Sequence, residues 1–510
     1  MKIKFTKFKI FFLIIIVFFL YIVGTKLINN TDHNIVFKIK LFVPNSVKHY
    51  LKNTIFIIPK LKGTINELEK ENRSLRHRIS AKEEFIKEMK NKYFEGYAPF
   101  IYFNIKEKNK IIKSKHSKYI FTKFQTIYLD NGKASDAQAS AYIEEFNDKI
   151  LLVNADGIFT YFYKKELSQN KFELIVIPTN IKEIIKSASY PPLKAFEEFF
   201  EKSEDGIKDI LVDDDKLFVS FTNKLADHCY NTSILVADIN FEYLNFNKFF
   251  VPDQCVKENN DYGRINHHIA GGRIVNFKDN KILFSTGAFQ YFKHSQDKTS
   301  PLGKILSIDK TTGDWNVISM GHRNVQGLKY DHEENIIFFT EHGPTGGDEF
   351  NINFNPSLND VKNYGWPISS YGEHCCGGKV EKNKFRYEKA PLHKSHEKYG
   401  FVEPIKYYVP SIGISEIEKI PKKFNKEFDN DFFISAMGNN REEGDLSIHH
   451  IKLDKNFKKI LKEDIIVIGE RIRDLKYIES LNKIILFIEN SPGIGVLSYS
   501  INQNINNEKN

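Results

Sequence analysis

Short strand-like segments recur along most of this chain, and they constrain its fold more than any other feature. From about residue 120 onward, apolar runs rich in Ile, Phe and Val alternate with turn residues. Examples are KILLVNADGIFTYF, DKLFVSF, SILVADIN, NKILFSTG, NIIFFTEHG, DFFISAMG and KIILFIEN. Because windows with a helical period are scarce in this region, the pattern predicts an all-β fold.

Residues 100–500 are predicted to form a single six-bladed β-propeller. Four strands make a blade, so roughly 400 residues leave room for about six irregular blades. No crisp repeat such as a Trp-Asp dipeptide fixes the number of blades, and a twin β-sandwich is the competing layout. Residues 501–510 are predicted to be a disordered tail.

Composition excludes two broad classes of protein. Of the 510 residues, 41% are apolar and 14% are aromatic, which supplies a core and argues against intrinsic disorder. The formal charge of +9 arises from 74 basic and 65 acidic residues in small mixed groups. No basic stripe is concentrated on one element, so nucleic acid is not an expected partner.

The first 27 residues are predicted to be a cytoplasmic tip and a transmembrane signal anchor. Lys2, Lys4, Lys7 and Lys9 precede an uncharged run from Ile10 to Thr25. Such lysines stay in the cytoplasm, so the C-terminal part should face the periplasm or the extracellular side. A cleaved signal peptide begins in the same way, but no small-x-small cleavage site follows the run.

Residues 61–94 are predicted to form a helical stalk, joined to the anchor by a membrane-proximal linker at 28–60. Apolar residues alternate at spacings of three and four along one seam, with Asn72 among them. A single Asn in such a seam favours a parallel coiled-coil homodimer. A helix that lies on the propeller is the alternative. The seam residues are Ile65, Leu68, Asn72, Leu75, Ile79, Lys82, Ile86 and Met89.

Six motifs occur in a specific order between Gly271 and Leu497. They are GGRIVNFKDNKILFSTG, SPLGKILSID, GHRNVQGLKYD, TEHGPTGGDEFN, NYGWPISSYG and GERIRDL. Together they resemble the soluble quinoprotein glucose and aldose-sugar dehydrogenases, the glucose/sorbosone dehydrogenase family. The resemblance implies a six-bladed propeller whose top face holds pyrroloquinoline quinone (PQQ) and Ca²⁺. Residues 100–260 contain no such motif.

The resemblance implies four cofactor-binding residues. Arg323 and Asn324 of GHRN, with Arg471 and Arg473 of RIRD, are similar to the residues that bind the quinone in the family. Arginine forks suit a cofactor with three carboxylates, and residues two apart on a strand face the same side. The alternative is that RIRD is an ordinary strand end with solvated or ion-paired arginines.

The resemblance also implies two calcium sites around the loop EHGPTGGDEF. The carbonyl oxygens of Gly343 and Pro344 would bind the calcium ion that touches the cofactor. Asp348, Glu349 and the carbonyl of Tyr364 resemble a second, structural site. Taken alone, the loop would be a glycine-rich turn with an acidic tip.

Two positions depart from the family pattern. The catalytic base of the family is a His four residues before the Arg of the GGR-type motif, where this chain has Ile269. His268, one residue earlier, is the candidate base if the strand slips or bulges, and a loop histidine without a catalytic role is the alternative. Met437 and Gly438 stand where the family has a quinone-binding lysine, with Arg441 shortly after.

The four cysteines are compatible with an oxidising compartment. Cys229 and Cys255 are expected to pair within one blade, whereas a bond between adjacent Cys375 and Cys376 would be geometrically demanding. Reduced, buried cysteines are the alternative.

Two functions of different classes follow. The first is a membrane-anchored oxidoreductase that oxidises an aldose or a related sugar with PQQ. The second is a catalytically degenerate propeller that binds a glycan or a protein partner, which the displaced His and the missing Lys would favour.

Overall fold

A computed structural model describes residues 63–78, 80, 100–126, 140–155, 157–185, 206–374, 380–438, 444–489 and 491–500. The predicted anchor (1–27), linker (28–60) and tail (501–510) lie outside these residues, as do Cys375, Cys376 and Arg441. None of the helices within the described ranges combines the length and the apolar character that crossing a membrane requires. The chain divides into two compact units, Met1–Phe85 and Ile86–Asn510.

The first unit contains one described helix, α1, over residues 63–78. Its seam side chains are open to solvent: Ile65 is 52% exposed and Leu68 is 58% exposed. The side-chain oxygen of Asn72 accepts a hydrogen bond from Arg76 Nε at 3.3 Å. A helix is therefore present over part of the predicted stalk, and the stalk and its dimerisation remain predictions. The seam residues Ile79, Lys82, Ile86 and Met89 lie outside the described residues.

The second unit begins with strands that join its two ends. Strands β1 (Phe100–Lys113) and β2 (Lys118–Thr126) form an antiparallel pair. β1 also pairs with the last strand of the first four-stranded sheet, and β2 pairs with the C-terminal strand of the chain. The ends of the unit are thus held together by backbone hydrogen bonds.

Six four-stranded antiparallel units, here called sheets 1 to 6, make up the ring. Sheets 1 and 6 are joined through β1 into one nine-stranded sheet, and sheets 2 and 3 each carry a fifth, short strand. Sheet 1 contains β3 (Ala141–Phe146), β4 (Lys149–Asn154), β5 (Phe159–Tyr163) and β6 (Lys171–Ile177). Sheet 2 contains β7 (Ile207–Asp213), β8 (Lys216–Ala226), β9 (Cys229–Asp238) and β10 (Asn247–Phe250), and β11 (Val256–Lys257) also pairs with β9. A small hairpin of β12 (Asn259–Asn260) and β13 (Gly263–Arg264) comes next.

The remaining sheets have the same layout. Sheet 3 contains β14 (Gly271–Phe277), β15 (Lys281–Thr286), β16 (Lys304–Asp309) and β17 (Trp315–Met320), with β21 (Lys362–Asn363) parallel to β17. Sheet 4 contains β18 (Val325–Asp331), β19 (Ile336–Glu341), β20 (Asp348–Phe354) and β22 (Lys406–Tyr408). Sheet 5 contains β23 (Ile414–Ile420), β24 (Asp431–Ala436), β25 (Ser447–Leu453) and β26 (Ile460–Val467). Sheet 6 contains β27 (Ile472–Ile478), β28 (Lys483–Ile488), β29 (Gly493–Tyr499) and β2.

Short helices occupy some of the connections. They are α2 (Ile181–Ile184), α3 (Lys293–Gln296), α4 (Val380–Lys389) and the 3₁₀ turns Lys164–Ser168, His267–Ile269 and Glu397–Tyr399.

The first strands of the six sheets form a closed ring. β3, β7, β14, β18, β23 and β27 contact one another in that order, and β27 contacts β3 again. The apolar core lies in wedges between neighbouring sheets, because successive residues of a strand point to opposite faces. In β28, Ile484 and Leu486 pack toward sheet 5, whereas Ile485 and Phe487 pack toward sheet 1. The prediction of an all-β fold is confirmed, and the closed ring is consistent with a β-propeller.

Candidate active site

One face of the ring carries a cavity of about 510 Å³ that is built from loops of several sheets. The segment between β13 and β14, the loops after β15, β17 and β19, and helix α4 all contribute to it. This arginine cavity is lined by Arg264, Ile265, Asn266, His267, Gln290, Phe292, Arg323, Pro344, Thr345, Trp366, His374 and Arg386. A space of this size suits a small-molecule ligand.

The cavity is electropositive. Three of the described lining residues are arginines, and no described lining residue is acidic. Arg323 donates to the carbonyl oxygen of His342 at 3.0 Å, and its guanidinium lies 5.5 Å from the centre of the Trp366 ring. Burial lowers the pKa of His374, and the charges of Arg386 and Arg323 lower it further. An anion in this cavity would therefore be stabilised.

The candidate base region forms a 3₁₀ turn, not a slipped strand. Asn266 caps the turn by accepting a hydrogen bond from the backbone N–H of His268 at 3.0 Å. The turn buries Ile269, leaves the His268 side chain exposed and brings His267 into the cavity wall. The His267 ring packs edge-on against Tyr230, with their centroids 4.6 Å apart. The sequence prediction therefore named His268, whereas its neighbour His267 lines the cavity.

Asn324 links this turn to the inner strands. Its side-chain N–H donates to the carbonyl oxygen of His268 at 2.9 Å, and its side-chain oxygen accepts from the Gly271 N–H at 3.1 Å. The same oxygen accepts from Gln326 at 3.0 Å. Arg323 and Asn324 therefore lie beside the histidine turn, and of the two only Arg323 is among the described lining residues of the cavity.

Arg471 and Arg473 do not line the arginine cavity. Both pair with the fully buried Glu489, at 3.0 Å and 2.5 Å respectively. Arg471 also donates to the carbonyl oxygen of Met437, and Arg473 donates to Gln326 at 3.3 Å. Two guanidinium groups therefore share one carboxylate, and Arg473 contacts the glutamine that donates to Asn324.

Asp348 does not have the environment of a metal ligand. One carboxylate oxygen accepts hydrogen bonds from the Gly343 N–H at 3.2 Å and from Ser411 at 3.0 Å, and the other accepts from the Ile414 N–H at 2.9 Å. The first of these oxygens also lies 3.4 Å from His342 Nδ1, so protein donors surround it. Through them, Asp348 fixes the loop that carries Gly343 to the start of β23.

Glu349 is likewise satisfied by the protein. Its carboxylate pairs with His396 at 3.1 Å and accepts from Asn351 at 3.1 Å. The Tyr364 hydroxyl donates to the carbonyl of Ile352 at 2.9 Å, and the Tyr364 carbonyl oxygen as a calcium ligand stays a prediction. Within the described ranges, no group of three His, Cys, Asp or Glu side chains is placed to hold a metal ion. The second calcium site implied by the resemblance does not fit this donor set, whereas Pro344 does lie at the cavity.

A cluster of buried charges, here called the hub, lies where the inner strands meet, and sequence reasoning missed it. Arg273 Nη1 lies 3.1 Å from Asp209, 2.7 Å from Glu416 and 3.1 Å from Asp474. These residues come from β14, β7, β23 and β27, and each is less than 9% exposed. The hub therefore ties four of the six sheets together, and its arginine was visible in the sequence only as part of the GGR motif.

Burial shifts the titration of the hub carboxylates. Desolvation raises the pKa of Asp209 to about 7, opposed by Arg273 and assisted by Asp474. Desolvation also raises the pKa of Glu416 against the effect of the same arginine. One guanidinium does not compensate three buried carboxylates, so the hub retains protons at mildly acidic pH.

The predicted disulfide between Cys229 and Cys255 is present, with the Cα atoms 5.5 Å apart. Cys229 lies on β9, and the residues after Cys255 form β11, which pairs with Cys229 and Tyr230. The bond therefore holds the start of the segment 256–267, which supplies one wall of the cavity.

Comparisons with known proteins agree with this architecture. The family model described as Glucose / Sorbosone dehydrogenase matches residues 178–494, so the match begins well before Gly271. The uncharacterized Synechocystis sp. protein slr1608 is 30% identical over 197 residues, which are 36% of this chain and 42% of that protein. The Escherichia coli aldose sugar dehydrogenase YliI is 29% identical over 221 residues, which are 40% of this chain and 53% of that protein. The chain thus spans about half the length of the curated relatives it matches.

Two solved structures share the fold. A glucose dehydrogenase crystal structure has a TM-score of 0.54 at 18% identity, covering 72% of this chain and 99% of its own. The apo-form of the soluble aldose sugar dehydrogenase from Escherichia coli has a TM-score of 0.52 at 17% identity, covering 78% and 99%.

Proposed function

Because this chain belongs to the Glucose / Sorbosone dehydrogenase family, we propose that it is a six-bladed propeller that oxidises a sugar with PQQ bound in the arginine cavity. The observation that carries the proposal is that Arg323 of the GHRN motif and His267 line one cavity that has no acidic side chain among its described lining residues. An anionic cofactor would be stabilised in such a cavity.

The residues present fit the quinone. Arg323 would pair with a carboxylate, Asn324 would fix the turn beside it, and Trp366 and Phe292 offer flat apolar surfaces. Arg473 would help to hold Asn324 in place through Gln326. When bound, the quinone would take the hydride from the anomeric carbon and one proton to become the quinol, while the sugar becomes its lactone.

The proton of the anomeric hydroxyl needs a neutral histidine as its acceptor. His268 was the sequence candidate, but its side chain is exposed, whereas His267 lines the cavity. We therefore assign His267 as the base and His268 as a carbonyl partner of Asn324.

Calcium is proposed only at the carbonyl oxygens of Gly343 and Pro344, since calcium prefers hard oxygen ligands. Its role would be to hold the loop that lines the cavity. Metal analysis after dialysis against a chelator, with quinone binding measured before and after, tests this point.

The N-terminal region completes the proposal. Residues 1–27 would anchor the protein, residues 61–94 would form a parallel dimeric stalk, and the propeller would face the periplasm or the outside of the cell. The exposed Ile65 and Leu68 on α1 support the stalk, because a seam of this kind is buried on pairing. Sedimentation of a chain lacking residues 1–27 should give a dimer, and Leu68→Asp should give a monomer.

Calorimetric titration of PQQ in the presence of Ca²⁺, followed by reduction of a dye with a panel of sugars, tests the function. Binding with sugar-dependent dye reduction is expected, and His267→Ala should lower kcat by about 100-fold or more. His268→Ala is the matched control on the same turn.

The degenerate propeller is the opposite outcome. If the protein binds no quinone at high micromolar concentration and reduces no dye, the cavity serves recognition of a glycan or protein partner and the dehydrogenase proposal fails.

A further inference from the structure

Two of the three cavity arginines come from elements outside the six motifs. Arg264 is the last residue of β13, and Arg386 lies on α4. The hairpin β12–β13 and α4 together form a rim on the cavity. Neither arginine corresponds to a cofactor residue implied by the family motifs, so both positions need a separate explanation.

The two rim elements are joined to each other. Lys389 of α4 donates to the carbonyl oxygen of Asp261 and lies 5.1 Å from the centre of the Tyr262 ring. Tyr262 packs edge-on against Phe292, a lining residue, with their centroids 5.1 Å apart. These contacts fix the hairpin against the helix, so Arg264 and Arg386 are held at one cavity.

Two acidic groups lie near the rim arginines, and each has more than one partner. Glu258 lies 3.7 Å from Arg264 but only 2.5 Å from His228, and the Arg264 side chain is 81% exposed. Glu373 pairs with Lys394 at 2.9 Å and accepts from the Tyr387 hydroxyl. The carboxylates around the rim therefore have other cationic or donor partners as well.

We propose that the sugar carries an anionic group, a carboxylate or a phosphate, which Arg264 and Arg386 bind at the rim. This inference rests on the proposed function and narrows its substrate class. The quinone would keep Arg323, and the two rim arginines would select a hexuronic acid or a sugar phosphate over a neutral aldose. Arginine forks bind both groups, so the test separates them.

The test compares glucuronate, glucose 6-phosphate and glucose as substrates of the full chain loaded with PQQ and Ca²⁺. One anionic sugar should have a kcat/KM at least about tenfold above that of glucose. The advantage should shrink between low and high ionic strength, because salt screens exposed charges. Equal kcat/KM values for all three sugars would overturn the inference.

Variants separate substrate binding from cofactor binding. Arg264→Gln/Arg386→Gln should raise the KM for the anionic sugar about tenfold and leave quinone affinity unchanged. The conservative variants Arg264→Lys and Arg386→Lys should recover part of the lost affinity for the sugar, because they keep the positive charge. Lys248→Gln, which removes one exposed charge from β10, is the control. A tenfold loss of quinone affinity in the Gln variant would instead make the rim arginines cofactor ligands and overturn the inference.

Direct binding keeps the inference apart from the proposed function. If the protein binds no quinone, the proposed function fails, and calorimetry with the same three compounds still decides the inference. Tighter binding of glucuronate or glucose 6-phosphate than of glucose supports it, and equal or absent binding of all three contradicts it.

Discussion

The arginine cavity and the hub use the same residue type for opposite purposes. In the cavity, three arginines line a space that contains no acidic side chain among its described residues. In the hub, one buried arginine meets three carboxylates from three different sheets. A positive charge without acidic neighbours attracts a ligand, whereas a positive charge surrounded by carboxylates joins parts of the protein. Ligand binding and ring closure are therefore expected to respond to different substitutions.

The largest effect is expected where the hub arginine is removed. Arg273→Met should lower the free energy of unfolding in urea by about 3–5 kcal/mol, because it leaves buried carboxylates without their shared cation. Arg323→Met, in the cavity, should cost about 1 kcal/mol or less in stability but should weaken quinone binding at least tenfold. If both variants lose stability equally, the division between a binding region and a structural region is wrong.

The next effect concerns how each region is fixed. The hub is held by charge, whereas the cavity wall at 256–267 is held at its start by the disulfide. Cys229→Ser/Cys255→Ser opens a loop of 26 residues and should lower the free energy of unfolding by about 3 kcal/mol. Quinone affinity should fall as well, because this segment forms one wall of the cavity.

Adding a dithiol provides a second measurement of the same bond. The variant Cys375→Ser/Cys376→Ser keeps Cys229 and Cys255 as its only cysteines, so its response to the dithiol isolates their disulfide. Loss of stability without any change in quinone affinity would show that the bond supports sheet 2 and not the cavity.

The contrast also explains what the sequence could predict. Strands such as KIILFI are defined by local alternation, and Arg323 and Pro344, which short motifs singled out, line the cavity because each lies in a turn within its own motif. The hub was missed because Arg273 meets Asp209 and Asp474 across 64 and 201 residues, and only closure of the ring brings them together. Arg264 and Arg386 were missed because they lie outside the motifs, and His267 was missed because a 3₁₀ turn replaces the expected strand.

The smallest effect is a pH dependence that belongs to the hub alone. The folded protein holds the pKa of Asp209 at about 7, well above its ordinary value of 3.8. A carboxyl group whose pKa is raised on folding binds more protons in the native state, so its contribution to stability is lost as the pH rises toward 7. Asp209→Asn removes the titratable group at this position. The free energy of unfolding of the wild type should therefore fall, relative to that of this variant, as the pH rises from 5 to 8. The change should be on the order of 1–2 kcal/mol, since the neighbouring carboxylates share the proton.

Asp238→Asn is the matched control, because Asp238 is an exposed partner of Lys216 at the end of β9. Its urea unfolding curves should follow the wild type at every pH from 5 to 8. Quinone binding of Asp209→Asn should keep the pH dependence of the wild type, because the hub does not line the arginine cavity. If the pH dependence of quinone binding changes together with that of stability, the hub and the cavity are coupled, and the two regions act as a single electrostatic unit.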